Sequence, residues 1–82
     1  MVLVRFLQGG ELEMKNQYGV HVKPITEGAT YKVEKVIYAH TKSSADIYFE
    51  GEGCAEDVPA TMIELHGDVG EAQVKKPVKE NS

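Results

Sequence analysis

Apolar and polar residues alternate along this chain in short runs, and glycine or proline closes almost every run. A period of two is the spacing of side chains on the two faces of a β-strand, so the pattern commits the chain to short strands. Val2, Val4 and Phe6 share one face of a first strand, with Leu3, Arg5 and Leu7 on the other. Gly9-Gly10 offers a turn that tolerates positive φ, and Glu11-Leu12-Glu13-Met14-Lys15 alternates cleanly after it. Together these predict an additional N-terminal β-hairpin over residues 1–22. Asn16-Gln17-Tyr18-Gly19 is a second turn, and Val20-His21-Val22 is a short extended piece that stops at Pro24, which has no N–H to give a ladder.

From Gly28 the pattern strengthens. Tyr31 and Val33 lie in phase, whereas Val36 and Tyr38 fall out of phase with them. An extra residue near Glu34-Lys35 restores the alternation, which predicts one long strand bent by a bulge, the device by which small barrels turn corners. Asp46-Ile47-Tyr48-Phe49-Glu50 reads as the next strand, Gly51-Glu52-Gly53 as a hairpin turn, and Cys54-Ala55-Glu56-Asp57-Val58 as the return strand. Pro59-Ala60-Thr61-Met62 predicts a single 3₁₀ turn, and Ile63-Glu64-Leu65-His66 a closing strand. Past Gly67 the chain becomes polar, and residues 71–82 read as a flexible tail in which Ala72-Gln73-Val74-Lys75 has the pattern of an edge strand.

These segments resemble an SH3-like small β-barrel of the kind found in short phage and bacterial proteins. The resemblance rests on Gly28-Ala29-Thr30-Tyr31-Lys32-Val33 opening a bent strand, on Ile47-Tyr48-Phe49-Glu50-Gly51 as a central strand and turn, and on Val58-Pro59-Ala60-Thr61-Met62-Ile63-Glu64-Leu65 as a turn and closing strand. It covers about half of the chain. It implies a mostly β fold with a barrel core over residues 28–66, preceded by the hairpin and followed by a short polar tail, with residues 1–70 forming one domain. Signalling SH3 domains bind proline-rich peptides through a groove lined by a tryptophan and clustered tyrosines. This chain has no tryptophan, so the resemblance does not extend to polyproline recognition.

With 82 residues the chain has room for a single small core. Cys54 is the only cysteine, so no intramolecular disulfide can support that core, and a reducing, cytoplasmic setting is expected. The apolar run at the N-terminus is interrupted by Arg5 and is too short for a signal peptide core or a membrane span.

Catalytic chemistry finds no foothold in the sequence. His21, His40, His66 and Cys54 are widely spaced and form no zinc-ligand motif. Cys54 sits among Glu50, Glu52, Glu56 and Asp57, which oppose a thiolate, and is expected to be a buried structural thiol. The glycines match no phosphate-binding loop. The expectation is a protein that is not an enzyme and holds no cofactor or metal.

Charge is the feature with functional content. Ser43 to Val74 carries eight acidic residues and no lysine or arginine, within a chain of net charge −4. Asp46, Tyr48, Glu50, Glu52, Glu56 and Asp57 are therefore expected to form an acidic patch that engages a basic surface on another protein. The leading reading is a small protein-binding module, such as a phage-encoded or bacterial accessory protein that modulates a host partner. A structural alternative has the chain self-associating through its N-terminal strand, Val2 to Leu7. A third has Arg5, Lys15, Lys23, Lys32, Lys35 and Lys42 gathering into a nucleic-acid-binding face, which the acidic surroundings oppose.

Overall fold

The computed structural model describes residues 2–67, together with the backbone of Gln73–Val74. Its strands are β1 (Val2–Phe6), β2 (Gly10–Asn16), β3 (Gly19–Ile25), β4 (Thr30–Tyr38), β5 (Ser44–Phe49), β6 (Gly53–Pro59), β7 (Ile63–Gly67) and β8 (Gln73–Val74), with one 3₁₀ turn at Ala60–Met62. The first seven form an antiparallel path in the order β3-β2-β6-β5-β4-β1-β7, and β8 pairs in parallel with the end of β4. Among the described residues β3 and β7 do not pair with each other, so the sheet is open. The fold is mostly β, as the alternation predicts.

Two features read from the sequence are in place. The ladder between β4 and β5 shifts register between Val33 and Lys35, where the broken alternation puts a bulge. The 3₁₀ turn follows Pro59, whose fixed φ of −57° starts it, and β7 begins directly after it. The expected tail at residues 71–82 falls outside the described residues, apart from the β8 backbone.

The N-terminal hairpin differs from expectation. β1 does not fold back on β2; it lies between β4 and β7, with Val4 opposite Tyr31 on one side and Leu65 on the other. Val2, Val4 and Phe6 are fully buried there. A tight turn at Gly9-Gly10 would have left this most apolar strand with a bare edge, and burial between two neighbours is the more stable outcome. The hairpin is instead β2–β3, and β2 reaches β6 through Met14–Ala55 and Lys15–Cys54. β3 also runs through Pro24 rather than stopping there, because on an edge strand the missing N–H can face away from the ladder.

The core is the concave side of this curved sheet. Rows of paired residues cross it, such as Met14–Ala55–Ile47–Val36 and Val58–Ala45–Tyr38. Phe6, Tyr31 and Phe49 cluster together: the Tyr31 ring meets Phe6 edge-on at 5.6 Å and Phe49 edge-on at 6.3 Å. The Tyr31 hydroxyl accepts the Thr26 N–H at 2.9 Å, so its polar end is satisfied. Lys23 closes the open side of this cluster. Its Nζ lies 5.4 Å from both the Tyr31 and Phe49 ring centres and donates to both oxygens of Glu52, at 2.8 and 3.1 Å. No helix among the described residues is long and apolar enough to cross a membrane.

Candidate functional site: a groove between two hairpin turns

On the convex side of the sheet, register aligns Val20, Lys15, Cys54, Tyr48 and Lys35 across β3, β2, β6, β5 and β4. Alongside this row the β2–β3 turn and the β5–β6 turn approach each other. Asn16 links them. Its Oδ1 accepts the Tyr18 N–H at 2.7 Å, holding the first turn, while its Nδ2 donates to the Glu52 carbonyl oxygen of the second at 3.4 Å. Gly53 permits the approach: a Cβ there would lie 2.5 Å from the Lys15 carbonyl oxygen.

Between the turns lies a groove of about 470 Å³, walled by Tyr18, Glu34, Tyr48, Phe49, Glu52 and Cys54 among others. Tyr18 stands at its rim with 87% of its surface exposed, although the Asx turn fixes its backbone. Tyr48 is half-buried, with the Lys35 ammonium 4.7 Å from its ring centre.

The six residues expected to form an acidic patch are dispersed in role. Asp46 is buried at 8% exposure, and its Oδ1 accepts the Asp57 N–H at 3.1 Å. Glu52 is ion-paired with Lys23, and Glu56 with Lys15 at 3.0 Å. That hydrogen bond, reinforced by attraction to Glu56, raises the Lys15 pKa above its ordinary value. Tyr48 and Glu52 line the groove; Glu50 is exposed between the lining residues Phe49 and Gly51 without lining it itself, and Asp57 is exposed on β6 in a left-handed conformation with φ 57°. Among the described residues Glu34, Glu50 and Asp57 have no ion-pair partner.

The basic residues are no more convergent. Arg5 lies 3.9 Å from Glu64, Lys15 and Lys23 serve β6 carboxylates and the β5–β6 turn, and Lys35 covers Tyr48. Cys54 is half-buried on the convex face beside Lys15 and Tyr48, not in the core. His21, His40 and His66 are exposed, and no three His, Cys, Asp or Glu residues among those described converge as a metal site.

Sequence reasoning passed over Tyr18 and Glu34. Tyr18 carries a signal, since an aromatic residue inside a two-residue turn has no core to reach. Glu34 carries none, because its position depends on how the β4 bulge turns. No family model matches this chain, and no curated protein or solved structure matches it.

Proposed function

We propose that this chain is a non-catalytic protein-binding module built on an SH3-like barrel, acting as a cytoplasmic accessory protein whose groove receives a basic segment of its partner. The antiparallel order β7-β1-β4-β5-β6, the bend in β4 and the 3₁₀ turn before β7 support the barrel part of this reading. The observation that carries the binding part is Tyr18: an exposed aromatic, whose backbone is held by its turn at the rim of a groove that also presents Tyr48 and Glu34, is an amphipathic anchor with a fixed point of attachment. Glu34 and Glu50, which need not break an ion pair first, favour lysine or arginine in the ligand.

The test is selection from a display library of linear peptides, followed by fluorescence polarisation. Enriched peptides are expected to carry Lys or Arg beside an apolar residue and to weaken at least tenfold with Tyr18→Ala. The double variant Glu34→Lys/Glu50→Lys is expected to remove the salt dependence. Absence of enrichment, or enriched peptides indifferent to both variants, would overturn the reading.

A further inference from the structure

We propose that β3 is a self-pairing edge, through which two copies of this chain join antiparallel about His21 into one continuous sheet. The inference is independent of what occupies the groove. Among the described residues β3 has a neighbour on one side only, and it is poorly protected for an edge strand. Val20 and Val22 are 59% and 54% exposed, whereas Lys23, the residue best suited to blunt the edge, is turned inward with only 17% of its side chain exposed.

The register follows from hydrogen-bond alternation. Asn16 and Gly19 flank a two-residue turn and form a hydrogen-bonded pair, so Met14–His21 and Leu12–Lys23 are hydrogen-bonded pairs as well. Val20, Val22 and Pro24 therefore direct their free backbone groups away from β2. Pro24 is consistent with this placement, because it has no N–H to offer. An incoming antiparallel strand must match Val20 and Val22 with residues that also bond outward. Centring the pair on Val22 places Val20 against Pro24, which lacks the donor. Centring it on Val20 runs Val22 into Tyr18, inside the turn.

Centring on His21 sets Val20 against Val22 of the second copy, twice, and brings four exposed valines into one cluster. Charge agrees with that choice. Lys15 stands beside Val20 and Glu13 beside Val22 on β2, so each row across the joint runs Lys15, Val20, Val22 and Glu13, with opposite charges at its two ends. A joint centred on either valine would end a row in two like charges. The strand is thus complementary to itself in one register, which favours a second copy over an unrelated strand.

The experiment uses the full chain. Sedimentation equilibrium is expected to show a reversible dimer at concentrations of roughly 0.1 to 1 mM, as suits a small interface. Val20→Lys/Val22→Lys is expected to be monomeric there with unchanged circular dichroism. In a Cys54→Ala background, His21→Cys is expected to give a disulfide-linked dimer under mild oxidation at least tenfold faster than Val22→Cys, because His21 alone faces itself across the axis in a close, non-hydrogen-bonded pair. A wild-type monomer throughout that range overturns the proposal. So does a dimer that survives the double lysine variant, or a Val22→Cys variant that cross-links to itself faster than His21→Cys.

Discussion

Asp46 and Asp57 are tied together by a hydrogen bond: the buried carboxylate on β5 accepts the backbone N–H of Asp57 on β6 at 3.1 Å. The bond sits where the β5–β6 ladder slips register between Ala45 and Ile47, leaving Glu56 and Asp57 opposite Asp46 alone. A bulge frees an N–H that the ladder would have used, and Asp46 satisfies it. The acidic stretch is therefore partly structural.

Removing that acceptor should loosen the bulge. Asp46→Ala is expected to cost about 1–3 kcal/mol in urea unfolding, while Asp46→Asn, which keeps a side-chain carbonyl in place, should lose clearly less. Asp57 gives the converse test, since its φ of 57° lies in the left-handed region. Asp57→Gly should be neutral or stabilising, and Asp57→Val should cost about 1–2 kcal/mol.

Much of the strand list was legible because most runs in the sequence are bounded by glycine or proline and alternate, and the β4 bulge was legible because Val33 and Val36 cannot share a face without it. Pairing was not. The sequence around Gly9-Gly10 has all the chemistry of a tight turn, yet Gly9 packs against the Ile25–Glu27 backbone and the chain crosses to the rim of the sheet instead. A turn motif reports what two residues permit locally, while the choice of neighbour for β1 depends on burying three side chains at once.

The site was less legible than the fold. Clustering of acids in sequence says nothing of their partners, and Lys15 and Lys23 reach Glu56 and Glu52 from strands 41 and 29 residues away. Asp46 is hidden by an effect that composition does not show, the unpaired N–H of a bulge. Tyr48 reached the groove because it occupies the outward position of a strand whose neighbours alternate inward.

Gly53 is the joint on which the groove depends. A Cβ there would collide with the Lys15 carbonyl carbon and oxygen, both backbone atoms that cannot rotate away, and the residue holds φ 119°. Gly53→Ala should therefore cost about 1–3 kcal/mol and separate the β2–β3 hairpin from β6. The measurement is amide hydrogen exchange, with protection lost at Lys15 and Cys54, which pair across the β2–β6 joint, before Val4 or Ile47 is affected. Equal loss in β1 would show that the hairpin does not detach as a unit.

Lys23 joins two kinds of contact, one with the Tyr31 and Phe49 rings and one with the Glu52 carboxylate. Lys23→Met retains the aliphatic packing and removes the charge, and should destabilise by about 0.5–2 kcal/mol. Lys23→Ala, which also uncovers the rings, should cost more. Equal losses in thermal unfolding would mean that the stem contributes nothing and the charge acts alone.

Alkaline pH should weaken the fold through two groups that salt can separate. Burial raises the Tyr38 pKa because the phenolate is the form that burial penalises, so the folded chain holds that proton more tightly than the unfolded chain does. Its contribution is complete below the ordinary tyrosine value near pH 10 and is lost as pH climbs through the raised folded value. Lys15 moves in the same direction for a different reason, since its cation is bonded to Glu56 in the folded state. Desolvation is insensitive to ionic strength, whereas an exposed ion pair is screened. In ~1 M salt the alkaline loss of stability should shrink to the Tyr38 part and become nearly flat in Tyr38→Phe. At low salt Tyr38→Phe should leave a residual slope that Lys15→Met removes. If Tyr38→Phe leaves the slope in high salt unchanged, the alkaline weakening belongs to neither group and the assignment to Tyr38 burial fails.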